Sequence, residues 1–175
     1  MEYMLMPLRR YADFSGRSRR MEFWMWQVFQ VLVYVGITIV MMLLGGGMML
    51  TQSDPAAMAA AGGGVLIVGG IYLIYILAVF IPSLAVAVRR LHDTNRTGWW
   101  ILAPLAPYLL VIAAGGMAIS SPDSVGAAGG LVLIGAAGAL ILGLVLLIFY
   151  LLEGTRGPNR YGADPKGGTN EEVFA

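Results

Sequence analysis

Four long apolar runs without a charged residue constrain this chain more than any other feature of its sequence. They extend over about residues 23–50, 61–88, 99–119 and 125–152. Each run reaches the roughly 20 residues that a helix needs to cross a hydrocarbon core of about 30 Å. Transmembrane strands are shorter, about 10 residues, and alternate in polarity. These runs do not alternate, so they predict four transmembrane helices.

The composition argues against a soluble domain. Hydrophobic residues make up 58% of the chain and charged residues only 12%, whereas a soluble domain carries about 25% charged residues. A bilayer favours such uncharged runs because each helix satisfies its own backbone polar groups. We therefore predict an all-α, polytopic membrane protein built as a bundle of four transmembrane helices. The chain has no cysteine, which excludes disulfides, thiolate metal sites and cysteine nucleophiles.

The basic residues mark one side of this predicted bundle. All 11 lysines and arginines precede the first run, separate the second from the third, or follow the fourth. The remaining loops, residues 51–60 and 120–124, contain none. The positive-inside rule makes the basic side cytoplasmic, so both termini are predicted to be cytoplasmic. The predicted organisation is an amphipathic N-terminal segment (1–22), a transmembrane domain (23–152) and a cytoplasmic tail (153–175).

A polar stripe follows one face of the first span. Its members, spaced for one side of a helix, are Gln27, Gln30, Tyr34 and Thr38. Such a stripe is expected to face the protein interior or a wet cavity rather than lipid. Interhelical hydrogen bonding is the favoured interpretation, and a permeation or substrate pathway is the alternative.

Small residues and prolines are expected to influence how the spans pack. Small residues recur at helical spacing on two spans: Gly63 and Gly70 on the second, and Gly135, Ala139 and Gly143 on the fourth. Such residues let helices approach closely, within one chain or between subunits. Pro82, Pro104 and Pro107 are expected to kink or interrupt their helices.

Three charged segments, residues 14–24, 89–100 and 153–162, flank the spans on the basic side. Each places arginines near a carboxylate, and all three are predicted to lie at one membrane depth. The candidate site for an anionic lipid or a protein partner comprises Arg17, Arg19, Arg20, Glu22, Arg89, Arg90, His92, Asp93, Arg96, Trp99, Trp100, Glu153, Arg156, Asn159 and Arg160.

This cluster allows three interpretations. Arginine–carboxylate pairs, with Asp93 and Glu153 as the preferred acids, could lock the helix ends together. Alternatively, the arginines could hold a lipid phosphate, with Trp99 and Trp100 as the walls of the site. Catalysis is the weakest interpretation: His92 is the only histidine, and adjacent residues on a helix point about 100° apart. No catalytic residue, metal ligand or cofactor is predicted.

Three sequence patterns carry a family resemblance. They read F-x-G-R-x-x-R-x-E-[FY]-W at 14–24, R-R-L-H-D-x-x-[RK]-[ST]-G-W-W at 89–100, and G-x-x-G-x-N-x-Y-G-x-D-P at 154–165. From about residue 11 to residue 165 the chain resembles the bacterial inner-membrane family catalogued as domain of unknown function 805, the YhaH-like proteins. This resemblance implies a multi-pass protein of the bacterial inner (cytoplasmic) membrane, and it implies no particular reaction or ligand.

The functional prediction is a non-enzymatic membrane module. Its cytoplasmic arginine–carboxylate cluster is expected to bind anionic lipid headgroups or a membrane-protein partner, without a cofactor. Membrane topology already explains the basic residues, so nucleic acid is not an expected partner. The alternative prediction is a small channel or transporter for an ion or small solute, assembled as a homo-oligomer.

Overall fold

The computed structural model describes residues 2–50 and 54–167. The regular elements in these ranges are α1 (Glu2–Arg9), α2 (Arg20–Leu50), α3 (Pro55–Asp93), α4 (Leu105–Ser120) and α5 (Val125–Leu151), with short 3-10 helices at Gly98–Leu102 and Pro122–Ser124. Part of the predicted 51–60 loop, residues 51–53, and the end of the predicted tail, residues 168–175, lie outside the described residues.

Four segments of the described chain are long and apolar enough to cross a membrane: Arg20–Gly45, Pro55–Asp93, Gly98–Ser120 and Val125–Leu151. The prediction of an all-helical chain with four such segments is confirmed. Helix α3 has 39 residues, which gives a length of about 58 Å at 1.5 Å per residue. A hydrocarbon core is about 30 Å thick, so part of α3 extends beyond it.

The start of α3 is fixed by a side-chain cap. Asp54 Oδ1 accepts hydrogen bonds from the backbone amides of Ala56 at 2.9 Å and Ala57 at 3.3 Å. These amides belong to the first turn, where helix donors lack intrahelical partners. Pro55 occupies the first helical position, where its missing N–H costs no hydrogen bond.

The end of α3 is closed by a left-handed residue. Asn95 has φ of 59°, and asparagine tolerates this conformation better than most residues. The amide of Asn95 bonds to the His92 carbonyl at 2.9 Å, and the amide of Arg96 bonds to the Leu91 carbonyl at 2.9 Å. This pair of bonds is the Schellman arrangement, and it directs the chain from α3 into the loop that precedes α4.

The prolines act differently in the two spans. Between the 3-10 helix Gly98–Leu102 and α4, the helix is interrupted next to Pro104, as expected. Helix α3 instead continues through Pro82. Because proline has no N–H, the carbonyl four residues earlier, that of Ala78, loses its usual donor. The Tyr11 hydroxyl donates a hydrogen bond to this carbonyl at 2.6 Å, so the segment after α1 replaces the missing bond.

The chain divides into two compact units, and each is described by itself. The first combines residues 1–13 with 21–86, and the second combines 14–20 with 87–175. In the first unit, Trp26 Nε1 donates to Ser83 Oγ at 3.0 Å, and the Tyr75 hydroxyl donates to Gln30 Oε1. Polar side chains therefore join α2 to α3, and one of them, Gln30, belongs to the predicted polar stripe.

In the second unit, α4 packs against α5 at a glycine. A Cβ atom built on Gly135 would lie 2.7 Å from Val111 Cγ2 and 2.9 Å from the Pro107 carbonyl oxygen. Gly138 makes the next approach, with its built Cβ 3.2 Å from Pro107 Cβ. Gly143 differs from the predicted stripe, because no described atom lies within 4 Å of its built Cβ. The close contacts reported for the glycines of α5 are therefore those of Gly135 and Gly138.

Candidate functional site

Asp93, the last residue of α3, lies between two buried arginines. Its Oδ1 accepts from Arg17 Nε at 2.9 Å and lies 2.9 Å from Arg17 Nη2 in the same ion pair. Its Oδ2 accepts from Arg90 Nη1. The exposed fractions are 5% for Asp93, 6% for Arg17 and 0% for Arg90. We call these three residues the Asp93 network. The attraction between the carboxylate and the two guanidinium groups is strong because little water screens their charges.

The remaining donors of the two arginines bind the backbone that follows α5. Arg17 donates to the carbonyl of Gly157 at 2.7 Å and to that of Thr155. Arg90 donates to the carbonyl of Tyr150 at 3.2 Å and to that of Leu152. The last carbonyls of a helix lack intrahelical donors, and cations are favourable at that end. The Asp93 network therefore closes the end of α5 as well as that of α3.

The segment after α5 also binds the end of α3 directly. The backbone amide of Thr155 donates to the Asp93 carbonyl at 2.8 Å. Asn159 Nδ2 donates to the His92 carbonyl at 3.0 Å and to Thr155 Oγ1 at 2.9 Å. Gly154 packs so closely that a Cβ built on it would overlap the Asp93 carboxylate. The tail thus folds back onto the other two charged segments.

His92 has a packing role in this arrangement. Its ring stacks on the Tyr161 ring, with centroids 3.8 Å apart and planes 4° from parallel. Its Nδ1 lies 3.2 Å from the carbonyl oxygen of Gly16; since a carbonyl only accepts, Nδ1 carries the proton. Among residues 2–50 and 54–167, no group of three or more potential metal ligands comes together.

Three other arginines of the predicted site make contacts closer to the surface. Arg20 Nη2 pairs with Glu153 Oε1 at 3.0 Å, with side chains 41% and 61% exposed. Arg19 donates to the Pro165 carbonyl, and Arg160 donates to the Asn95 carbonyl at 3.0 Å. Exposed pairs contribute about 0–1 kcal/mol, so these contacts orient the tail more than they stabilise it.

The aromatic residues form a separate contact. The guanidinium carbon of Arg96 lies 3.9 Å from the centre of the Phe149 ring, and Trp100 meets the same ring edge-on at 5.2 Å. Trp99 is 77% exposed, as suits a residue at the membrane interface. Neither Trp99 nor Trp100 lines the cavity described below.

Glu22 and Arg89 are both buried, with exposed fractions of 4% and 0%. The carbonyl of Arg89 accepts a hydrogen bond from the Ser18 amide at 3.1 Å, which ties the segment before α2 to the end of α3. Glu22 belongs to the first unit, whereas Arg89 belongs to the second. Neither residue lines the cavity.

A cavity of about 150 Å³ lies beside the Asp93 network. Its charged lining residues are Arg17, Arg19, Arg156, Lys166, Asp93, Glu153 and Asp164. All of them belong to the second unit. The cavity therefore combines the predicted cluster with two residues that the prediction did not include, Asp164 and Lys166.

The carboxylates of this cavity are already engaged. Asp93 pairs with Arg17 and Arg90, and Glu153 pairs with Arg20. Asp164 accepts from the backbone amides of Lys166 at 2.9 Å and Gly157 at 3.0 Å. These bonds, that of Lys166 first, lower the pKa of the Asp164 carboxyl below its ordinary value of 3.8, so it is ionised at neutral pH.

Two cations of the cavity lack such partners. Among the described residues, neither the exposed Arg156 guanidinium nor the Lys166 ammonium makes a hydrogen bond or an ion pair. Arginines outside the cavity offset the negative charges of Asp93 and Glu153. The residues that line the cavity therefore keep an excess of positive charge. An unpaired arginine beside buried ion pairs is suited to binding an anion.

Sequence reasoning missed several residues that organise the site: Thr155, Tyr161, Asp164 and Lys166. Three of them lie within the 154–165 pattern, so the pattern was the available signal. Two of these roles depend on backbone atoms. Thr155 binds the end of α3 through its own amide, and Asp164 binds the amides of a turn. Side-chain chemistry alone does not reveal such contacts.

The polar stripe of α2 lies in the first unit. Two cavities border it, one lined by residues that include Gln30 and Tyr34, the other by residues that include Tyr34 and Thr38. Gln27 is half-buried and lines neither. The structure thus brings three of the four stripe residues to a cavity.

Comparison with known proteins decides the family. Residues 11–163 match the family described as "Protein of unknown function (DUF805)". The chain belongs to this family. Over 170 residues it is 33% identical to the inner membrane protein YhaI of Escherichia coli K12, covering 97% of this chain and 100% of YhaI.

A second relative supports the same assignment. The inner membrane protein YhaH of Escherichia coli K12 is 33% identical over 166 residues, covering 95% of this chain and 98% of YhaH. No solved structure matches the chain. With the four candidate spans, the family membership makes this chain a multi-pass inner-membrane protein.

Proposed function

We propose that this protein is a non-enzymatic membrane module that binds the phosphate of an anionic lipid headgroup in the 150 Å³ cavity. The observation that carries the proposal is the pair of exposed cations, Arg156 and Lys166, that line this cavity while their side chains make no hydrogen bond or ion pair among the described residues. The volume admits a headgroup phosphate, while the acyl chains stay in the bilayer.

The Asp93 network has a positioning role in this proposal. Arg17 and Arg90 already bind a carboxylate and two carbonyls each, so they offer few donors to a ligand. They instead hold the segment after α5 against α3 and thereby place Arg156 at the cavity. Basic pockets at helix ends bind anionic headgroups in other membrane proteins.

The cavity would face the cytoplasm. All 11 lysines and arginines of the chain lie in segments that the positive-inside rule assigns to that side. The cytoplasmic leaflet is rich in anionic lipid, and its negative surface potential attracts basic residues. The proposed ligand would therefore be abundant where the cavity opens.

The test is native mass spectrometry of the full chain released from nanodiscs of phosphatidylcholine with phosphatidylglycerol. We expect Arg156→Ala to reduce retained phosphatidylglycerol about fivefold, because a basic residue near an anionic surface contributes roughly 1 kcal/mol. Lys166→Ala should act similarly. Arg9→Ala is the matched control: Arg9 is also exposed, but it lies in α1 and does not line the cavity.

Two results would contradict the proposal. Equal losses from Arg156→Ala and Arg9→Ala would indicate nonspecific attraction to anionic lipid. Retention unchanged in both single variants and in the Arg156→Ala, Lys166→Ala double variant would leave the cluster with an architectural role only. Inorganic phosphate added to the released protein separates the sources: displacement of the lipid shows that the phosphate group alone is recognised.

The alternative, a small oligomeric channel or transporter, rests on the polar stripe of α2. It predicts solute flux in liposomes that depends on Gln27, Gln30 or Tyr34. The hydrogen bond between Gln30 and Tyr75 favours the first proposal, because it uses one stripe residue to join α2 and α3.

A further inference from the structure

A groove between α2 and α3 in the first unit contains two adjacent cavities. The first has a volume of about 370 Å³ and the second about 330 Å³. Tyr34 and Tyr72 line both, so the cavities are neighbours along the groove. Their volumes fall in the range of about 300–1,000 Å³ that is typical of small-molecule sites.

The first cavity offers hydrogen-bond donors but no charge. The Gln30 carbonyl oxygen accepts from Tyr75, and among the described residues the Gln30 amide nitrogen has no partner. Ser83 Oγ accepts from Trp26 at 3.0 Å, which leaves its own proton available to a second acceptor. A charged headgroup would find no counter-charge here, so an uncharged acceptor fits better.

The same cavity has aromatic walls. The Tyr72 and Tyr75 rings lie with centroids 6.3 Å apart and planes 16° from parallel, and Phe80 adds a further ring to the lining. Aromatic rings favour offset stacking on other flat π systems. The donors and the rings together select a planar, uncharged molecule with carbonyl oxygens.

The second cavity is mostly apolar. Its lining includes Ile37, Met41 and Met42. Methionine side chains are flexible and can pack against an apolar chain of irregular shape. Met42 follows Gln30 along α2 by about 18 Å at 1.5 Å per residue. This direction leads away from the Trp24 and Trp26 end of α2, so a tail in the second cavity would run through the bilayer core towards the opposite side.

We propose that this groove binds a membrane quinone. The quinone ring would lie between Gln30, Ser83 and the tyrosine rings, and its isoprenoid tail would follow the second cavity. A phospholipid fits less well because the lining holds no cation for its phosphate. The proposal concerns binding alone and is independent of the anionic site, whose residues lie in the other unit.

The test titrates the full chain, purified in detergent, with decylubiquinone and measures the bound complex by native mass spectrometry. We expect one saturable adduct per chain. Gln30→Leu should weaken binding about tenfold, because a ring carbonyl loses its hydrogen-bond donor in the groove. Gln27→Leu is the matched control, since it removes an amide from the same helix but from outside both cavities; its affinity should change less than about twofold.

A second variant distinguishes loss of binding from loss of folding. Val31→Phe fills the first cavity without removing a polar group, and helicity measured by circular dichroism identifies any unfolded variant. Val31→Phe should abolish the adduct while helicity is retained. Binding that survives both Gln30→Leu and Val31→Phe would overturn the proposal.

Two competing occupants give distinct results. If diacylglycerol displaces decylubiquinone at equal concentration, the site recognises ester carbonyls rather than a quinone ring, and the proposal fails. If a second copy covers the groove, Tyr34→Cys will crosslink into a dimer in membranes, and the proposal also fails. The chain has no native cysteine, so such crosslinks arise from the introduced residue alone. Absence of both effects supports the quinone site.

Discussion

Asp93 shows how one carboxylate organises the basic end of this protein. It pairs with Arg17, 76 residues earlier in the chain, and with Arg90 on its own helix. Both arginines are buried, so neither can return to water if the carboxylate is neutralised. Glu153, the other preferred acid, is 61% exposed in its pair with Arg20. The two acids therefore contribute differently to the stability of the fold, although the sequence predicts the same pairing role for both.

We expect Asp93→Asn to lower the stability of the chain by about 3–5 kcal/mol, because it leaves two buried guanidinium groups without their counter-charge. Glu153→Gln is the matched control and should cost less than about 1 kcal/mol. Thermal unfolding in detergent, followed by circular dichroism, measures both. Equal shifts in Tm would show that the Asp93 network is no more important than a surface pair.

Helix α3 illustrates a compensation within one element. Pro82 removes the donor for the Ala78 carbonyl, and the Tyr11 hydroxyl supplies another at 2.6 Å. The segment after α1 is thereby fixed to α3 at the level of Ala78, 15 residues before the end of the helix at Asp93. An exposed apolar face on α1, with Leu5 and Leu8, is suited to the boundary between headgroups and acyl chains.

A double-mutant cycle tests this compensation. Tyr11→Phe should cost about 1 kcal/mol, the typical contribution of one hydrogen bond. In a Pro82→Ala background the backbone amide can bond the Ala78 carbonyl, so Tyr11→Phe should then cost only a few tenths of that. Thermal unfolding of the four proteins gives the coupling. Identical costs in both backgrounds would mean that Tyr11 acts through packing instead.

The whole molecule must also be oriented in the membrane. The charge asymmetry predicts that the loop before α4 is cytoplasmic and that the loop before α5 is on the opposite side. Thr97 and Ser121 are exposed representatives of these loops. Because the chain has no cysteine, each of these two positions can be tested by a single substitution to cysteine.

In intact cells, an impermeant maleimide should label Ser121→Cys, whereas Thr97→Cys should react only after the membrane is permeabilised. The unsubstituted chain is the control for background labelling. The reverse pattern would place the Asp93 network and the anionic cavity outside the cytoplasm. It would also remove the lipid-leaflet argument for the proposed ligand.

The sequence by itself determined the helical spans, their approximate limits and the grouping of the charged segments. It could do so because a bilayer imposes a local requirement: about 20 consecutive apolar residues for each span. The three sequence patterns determined the family for a similar reason, since each is a short, continuous run. Arg17, Arg90 and Asp93 were all among the candidate residues on that basis.

Only the tertiary structure decided which of these residues bind one another. Arg17 binds the carbonyl of Gly157 across 140 residues of chain, and Asn159 binds that of His92 across 67. No local pattern encodes such a pairing, because it depends on where the helix ends meet. The same folding leaves Arg156 beside a cavity without a described partner and places Gln30, but not Gln27, in the groove. Burial and distance, rather than residue type, separate the arginines that hold this fold together from those available to a ligand.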